Sequence, residues 1–308
     1  MAIVAVLFKQ ILIMFLMMGV GYVLYKTGKL TLEASESMGN ILVYLVIPVI
    51  VVKSYMVEYN PEKLKGLMYA FVFAIVALLL STFVSMFIFK NHPVELVGAA
   101  YCNSGFMGIP LVSMVLGDEA VFYVSAFVVT LNLLQFSYGA YAISKNKSAI
   151  NVKRILTNPA LIAFIVGMLL FILPIPPLPS VVTTTLDYFA AINAPLAMLC
   201  VGVYLAQMRP AELFSDKMIY AACAVRLLLI PLLTIGALSL IPIGTPMIKV
   251  AIMLVSSTPV GTLSAVYAQL FGGDYVQAVK SICLSTIFCI ITMPVVIAIA
   301  SMLWGFTI

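Results

Sequence analysis

The stretch VGAAYCNSGFMGIPLVSMVLG, Val97 to Gly117, decides the fold. It is apolar enough for hydrocarbon, yet its middle holds Asn103, Ser104, Gly105, Gly108 and Pro110. Pro110 cannot donate the helical hydrogen bond, and its ring clashes with the preceding turn. The two glycines weaken the helix further. A main-chain group freed inside a bilayer is tolerated only where protein, water or a ligand satisfies it. The stretch therefore predicts a broken membrane helix. A second one, VAIMLVSSTPVGTLSAVYAQLFGG from Val250 to Gly273, carries Ser256, Ser257, Thr258, Pro259 and Gly261 at its centre.

The rest of the chain supplies the bilayer setting. Of 308 residues, 64% are hydrophobic and 9% charged. A soluble domain carries about 25% charged residues, and a water-soluble globule needs a polar skin. Soluble enzymes, disordered proteins and disulfide scaffolds are excluded. Ten apolar segments follow one another, at roughly 4–25, 39–57, 66–89, 95–116, 120–143, 158–173, 187–207, 217–240, 247–270 and 276–303. Their length predicts an all-α polytopic membrane protein with ten spans. The first has no small-residue cleavage site after it and reads as a retained helix. The sixth is short and runs into Pro174, Pro176, Pro177 and Pro179. The five cysteines fall in apolar runs and read as small buried hydrophobes.

The two breaks are related by more than composition. Pro259 lies 149 residues after Pro110, and Pro195 of the seventh span lies 147 after Pro48 of the second. Two markers with nearly one offset predict a duplicated five-helix unit. Five is odd, so the copies enter the bilayer from opposite sides as an inverted repeat, a common build of secondary transporters. The first repeat covers 1–144, a connector 145–157, and the second repeat 158–308. Ten basic loop residues fall on one side and five on the other, which predicts a cytoplasmic connector and both termini outside.

Matched breaks in inverted halves point to a transport site. Half-helix N-termini there present amides and a positive dipole end, which suits a carboxylate. Asn103, Ser104, Gly108 and Pro110 from the fourth span and Ser256, Ser257, Thr258 and Pro259 from the ninth are the candidate site. Asn132 and Gln135 of the fifth span line the cavity or bond between helices. Arg226 in the eighth span is a counter-charge for the substrate or a structural arginine on main-chain carbonyls. Lys280 is a second charge partner or an interfacial lysine. Asn40 and Asn193 beside the prolines read as structural. Asp118, Glu119, Asp187 and Asp274 lie at helix ends, so no span holds a clear carboxylate. A Na⁺ site near Asn103, Ser256 and Thr258, proton coupling, and uniport of an anion all remain open. No other cofactor or metal is expected. The one histidine, His92, is in a loop, and no HExxH or GxSG occurs, so hydrolytic chemistry lacks a candidate. A channel or membrane sensor is the alternative to a carrier, but no filter signature repeats.

The segments NSGFMGIPLV (Asn103–Val112), NPALIAFIVGM (Asn158–Met168) and APLAMLCVGVYLA (Ala194–Ala206), with the stretch over the ninth and tenth spans, resemble the auxin efflux carrier family. The sharpest piece is N-[ST]-x-x-x-G-I-P-L, met by Asn103, Ser104, Gly108, Ile109, Pro110 and Leu111. The resemblance covers nearly the whole chain. It implies a fold similar to bile-acid/sodium symporters, with spans 4 and 9 crossing at their prolines. Spans 1, 2, 6 and 7 would form a scaffold and homodimer surface, and spans 3–5 and 8–10 a moving bundle of elevator type. It implies a small organic acid substrate, auxin-like or malate- or malonate-like, with Asn103 on the carboxylate. There are two departures. The central connector is short, as in bacterial members. The third span has no acidic residue, so the proton-coupling group of plant carriers has no counterpart.

Overall fold

A computed structural model describes residues 2–173, 178–214 and 216–306. Pro174, Pro176 and Pro177 of the proline cluster lie outside the described residues. The helices are α1 (Ala2–Lys26), α2 (Leu32–Ser54), α3 (Pro61–Ile88), α4 (Pro93–Ala100), α5 (Ser104–Leu116), α6 (Asp118–Ser144), α7 (Pro159–Ile172), α8 (Ser180–Gln207), α9 (Lys217–Ser239), α10 (Pro246–Ser256), α11 (Leu263–Phe271) and α12 (Tyr275–Trp304). Eight described segments are long and apolar enough to cross a membrane. These are α1, α2, α3, α6, α8, α9, α12 and the stretch Lys147–Ile172 that ends in α7. The fourth and ninth apolar segments of the sequence are the interrupted pairs α4–α5 and α10–α11.

The bilayer setting is legible in single helices. On α1, Ile3, Leu7, Ile11, Met14 and Met18 recur at helical spacing and are buried, while Leu16, Val20 and Val23 on the other side are exposed. A helix apolar on both sides belongs in lipid or in a large core, and an exposed apolar face of this length is accounted for by lipid. Its inner face meets α8 at very short range. A Cβ on Gly202 would overlap the Met18 carbonyl oxygen, and one on Gly21 would come 2.5 Å from that of Leu199. Small residues let membrane helices approach to backbone contact, where dispersion replaces the missing hydrophobic drive.

Local chemistry sets the helix ends. Asn60, Asn158, Asp216, Thr245 and Asp274 cap the helices that follow them, each accepting a main-chain N–H in the first turn. Helix α2 starts seven residues before its apolar run, at Leu32, because the Thr31 hydroxyl accepts from the Ala34 amide at 3.1 Å. Three prolines are preceded by one wider turn each: Leu42–Val46 before Pro48, Ser104–Gly108 before Pro110, and Val225–Leu229 before Pro231. Widening the turn relieves the clash of the ring with the carbonyl one turn back, and the helix continues.

The interrupted segments occupy the centre. Val94 to Ala100 of α4 and Ile248 to Ser256 of α10 are buried throughout. Between the halves, two extended stretches cross antiparallel at Cys102 and Val260. The Asn103 amide donates to the Pro259 carbonyl at 2.8 Å, and the Gly261 amide to that of Tyr101 at 3.1 Å. The Val260 amide donates to Ser285 Oγ on α12 at 3.1 Å. Each break therefore satisfies part of the other.

Arg226 completes the crossing and is 1% exposed. Its Nη1 donates to the carbonyls of Ala99 at 3.1 Å and Ala100 at 3.2 Å, and its Nη2 donates to that of Ser256. Ser81 Oγ donates to the same Ala100 oxygen at 2.6 Å. The last carbonyls of α4 and α10 have no helical partner and carry the negative dipole end. One guanidinium neutralises both ends.

Candidate functional site

A cavity of about 590 Å³ lies against the crossing. Its inner end is made by Cys102, Asn103, Ser104, Gly105 and Phe106 from the first break and Gly261, Thr262 and Leu263 from the second. The first three amides of α5, those of Ser104, Gly105 and Phe106, find no main-chain partner among the described residues. The same holds for Thr262 and Leu263 at the start of α11. Two positive helix ends therefore face one space, the arrangement that binds an anion.

Side chains add to this. Asn103 is 5% exposed and Gln135 3%, and neither carboxamide has a hydrogen bond to a described residue. Both line the cavity. A carboxamide offers two donors and an acceptor, so both side chains can bond to whatever fills the cavity. Asn132 lines the cavity too, with its Nδ2 donating to the Val128 carbonyl at 3.0 Å. The walls are apolar: Ile47, Val128, Leu131, Phe136 and Val266. The mouth carries Glu36, Arg154, Thr157, Asn158 and Tyr275.

The structure thus brings together Asn103, Ser104, Asn132 and Gln135. It does not bring Gly108, Pro110, Ser256, Ser257, Thr258 or Pro259 into that lining. Gly108 packs on Val255, where a Cβ would come within 2.6 Å. The hydroxyls of Ser256 and Ser257 donate to the Met253 carbonyl, and that of Thr258 to Val255. A possible Na⁺ set of Asn103, Ser256 and Thr258 is therefore split between the cavity and the packing behind it. Arg226 binds carbonyls, as the structural alternative has it, and Lys280 does not line the cavity. The second break contributes through Gly261, Thr262 and Leu263, a few residues beyond Pro259. The signal was available: the N–H groups without partners lie after a proline-bearing turn, at the start of the following helix.

A second cavity, about 790 Å³, lies on the other side of α5. Ile109, Pro110, Ser113 and Met114 line it, with Lys53, Lys63, Asp118, Glu119 and Asp187. Lys53 Nζ bridges Asp187 at 2.8 Å and Asp118 at 3.6 Å, and Lys63 pairs with Glu119 at 3.0 Å. Asn193 lines this cavity and is 3% exposed, and neither end of its carboxamide has a partner among the described residues. Its position beside Pro195 suggests a structural tie, but its carboxamide bonds to no described residue. Glu95, which no sequence motif marks, is 5% exposed and accepts from Gln277 Nε2 at 3.0 Å. The same Nε2 donates to Asp216 at 2.7 Å. That bond, with the Met218 amide, holds the Asp216 carboxyl below the usual carboxylate range. Among the described residues, no three His, Cys, Asp or Glu side chains converge for a metal ion.

The class this architecture defines is a multi-pass helical membrane protein with a buried polar cavity at two interrupted helices. The profile of the membrane transport protein family matches residues 6–155 and 144–297, so the chain belongs to that family, the auxin efflux carriers. It is 28% identical over 299 residues to a protein of Rhizobium meliloti (strain 1021) named "Putative malonate transporter", covering 87% of this chain and 89% of that one. It is 27% identical over 202 residues to an "Uncharacterized transporter" of Methanothermobacter thermautotrophicus, covering 64% and 65%.

Proposed function

We propose that the protein is a secondary carrier of small organic anions in the cell membrane. The observation that carries this is the Asn103 cavity, whose lining includes five main-chain amides and the carboxamides of Asn103 and Gln135, none with a hydrogen-bond partner among the described residues. Such groups are stabilised by a carboxylate more than by any neutral solute. The name of the Rhizobium relative, which mentions malonate, agrees with a carboxylate.

Ten crossings fit the chain when the interrupted pairs α4–α5 and α10–α11 are added to the eight long segments. They form two inverted five-helix repeats, 1–144 and 158–308, in a bile-acid/sodium symporter-like arrangement. The two cavities support alternating access. One is lined by Ser35 at the start of α2 and the other by Lys53 at its end, so they open to opposite faces. Helix α5 separates them. Moving the bundle of spans 3–5 and 8–10 past a dimeric scaffold of spans 1, 2, 6 and 7 would carry the inner end from one cavity to the other. The basic-loop asymmetry supports an orientation with the Arg154 face in the cytoplasm and both termini outside.

The test is uptake of labelled organic acids by proteoliposomes, with Na⁺ and proton gradients imposed separately to identify the coupling ion. Saturable transport, abolished in Asn103→Ala at an unchanged gel-filtration profile, is the expected result. Normal transport by Asn103→Ala removes the site assignment, and unitary currents in planar bilayers replace the carrier with a channel.

A further inference from the structure

We infer that the C-terminal end of α2 is a latch, in which Tyr55 and Lys53 fasten the scaffold to α6 of the bundle. The latch holds the conformation that presents the inner end of the Asn103 cavity toward the connector. This rests on the carrier reading above, with a bundle that moves past a scaffold, and it names what balances the two conformations.

Tyr55 is the buried part. It follows the last residue of α2, and its ring lies between a scaffold helix and a bundle helix. On the scaffold side, Phe164 of α7 meets it edge-on with ring centroids 5.6 Å apart. Gly167 of the same helix leaves it room, since a Cβ there would come within 2.8 Å of the ring. On the bundle side, Phe122 of α6 lies 4.6 Å away between centroids. The Ser125 hydroxyl donates to the Phe122 carbonyl at 2.6 Å, so the Tyr55 hydroxyl, 2.6 Å from Ser125 Oγ, is the donor to it. Tyr55 and Ser125 are both buried. Sliding α6 past α7 breaks this bond, and a buried hydroxyl then has to find another partner.

Lys53 is the exposed part. Its Nζ is held by Asp187 of α8 at 2.8 Å, a pair inside the scaffold, and reaches Asp118 at the start of α6 at 3.6 Å. Ser113 of α5 donates to the same Asp118 carboxylate, and Lys63 of α3 pairs with Glu119 of α6 at 3.0 Å. Both of these contacts lie inside the bundle. Motion between the two bodies therefore breaks Lys53–Asp118 and spares the others. The pair is partly exposed, so salt screens it. On the connector face, the Tyr275 hydroxyl of α12 donates to Gln207 of α8 across the same boundary at 3.4 Å. The short buried bond is on the other face, where Lys53 and Asp118 line the second cavity.

Val266 of α11 lines the Asn103 cavity and rides with the bundle, and the five native cysteines are buried. The full chain carrying Val266→Cys, reconstituted in oriented vesicles, is labelled with an impermeant maleimide added on either face. The ratio of connector-face to opposite-face labelling rates reads the balance of conformations. Tyr55→Phe should lower this ratio about 3- to 10-fold, the loss of one hydrogen bond. Asp118→Asn should lower it about 2- to 5-fold. Raising salt should act on the Val266→Cys parent as Asp118→Asn does and leave that variant unmoved. Asp187→Asn removes a contact inside the scaffold and should not lower the ratio. Gel filtration confirms that each variant is folded. A ratio unchanged by Tyr55→Phe or by Asp118→Asn, or lowered as much by Asp187→Asn, overturns the latch and spares the carrier. Labelling from one face alone in every variant overturns the moving bundle as well.

Discussion

Arg226 Nη1 donates to the carbonyl oxygen of Ala100 at 3.2 Å, at the C-terminal end of α4. The other nitrogen of the fork reaches Ser256 at the end of α10. An arginine within a membrane helix suggests a substrate counter-ion, but here the main chain itself supplies the negative ends.

This relationship makes Arg226 a stability residue. Arg226→Met should lower stability by about 3 kcal/mol or more, because three carbonyls lose charge-assisted partners and remain buried. Arg226→Lys should recover part of it, having no planar fork to span two helices. Thermal unfolding in detergent, followed by the fluorescence of Trp304, measures both.

The threonines on either side of the second proline should separate. Thr258 is buried and donates to Val255 at 2.8 Å, whereas Thr262 lines the cavity. Thr258→Val is expected to cost about 1 kcal/mol of stability with ligand affinity unchanged. Thr262→Val is expected to weaken acid binding and barely move the melting temperature. Isothermal titration beside thermal unfolding distinguishes them, and the opposite pattern would move the site back to the proline.

The contact of α1 with α8 should tolerate no side chain at Gly202. A Cβ there overlaps backbone, which cannot rotate away as a flexible side chain can. Gly202→Ala should destabilise by about 1–3 kcal/mol, and Gly202→Leu should abolish a monodisperse preparation. Gel filtration and melting curves check this.

Asp216 predicts an acid limit. Its carboxyl is held below the ordinary value of about 3.9, first by Gln277 and then by the Met218 amide. A depressed folded value means stabilisation present at neutral pH and lost as pH falls through that value. The melting temperature should start to drop as pH approaches the ordinary carboxylate value from above and keep dropping below it. Asp216→Asn should flatten this part of the curve. An unchanged slope would show that other carboxylates set the acid limit.

Sidedness can be read with thiol reagents, since the five native cysteines are buried. Thr157→Cys, at the mouth of the Asn103 cavity, and Ser54→Cys, in the second cavity, should react from opposite faces of the membrane. In right-side-out vesicles an impermeant maleimide should label only Ser54→Cys.

The breaks were legible because proline and glycine act locally. Pro110 and Pro259 disrupt a helix whatever surrounds them, and Asn103 and Ser104 line the cavity against the crossing. The serines before Pro259 were misleading for the same local reason. A hydroxyl beside a break looks available, but Ser256, Ser257 and Thr258 turn back onto their own helix. Arg226 was ambiguous because a long side chain can aim either way. Arg154 read as a loop charge, and only the packing of the connector against Phe136 brings it to the cavity.

By itself the sequence determined the solvent of this protein and where its helices fail, because hydropathy and proline geometry are properties of single segments. The tertiary structure alone decided which freed groups remain free. The amides of Asn103 and Gly261 are taken by the opposite strand, and the carbonyls of Ala100 and Ser256 by one guanidinium, while the amides after them are left to the cavity. Pairing between segments some 150 residues apart depends on how they cross, and no local pattern encodes that.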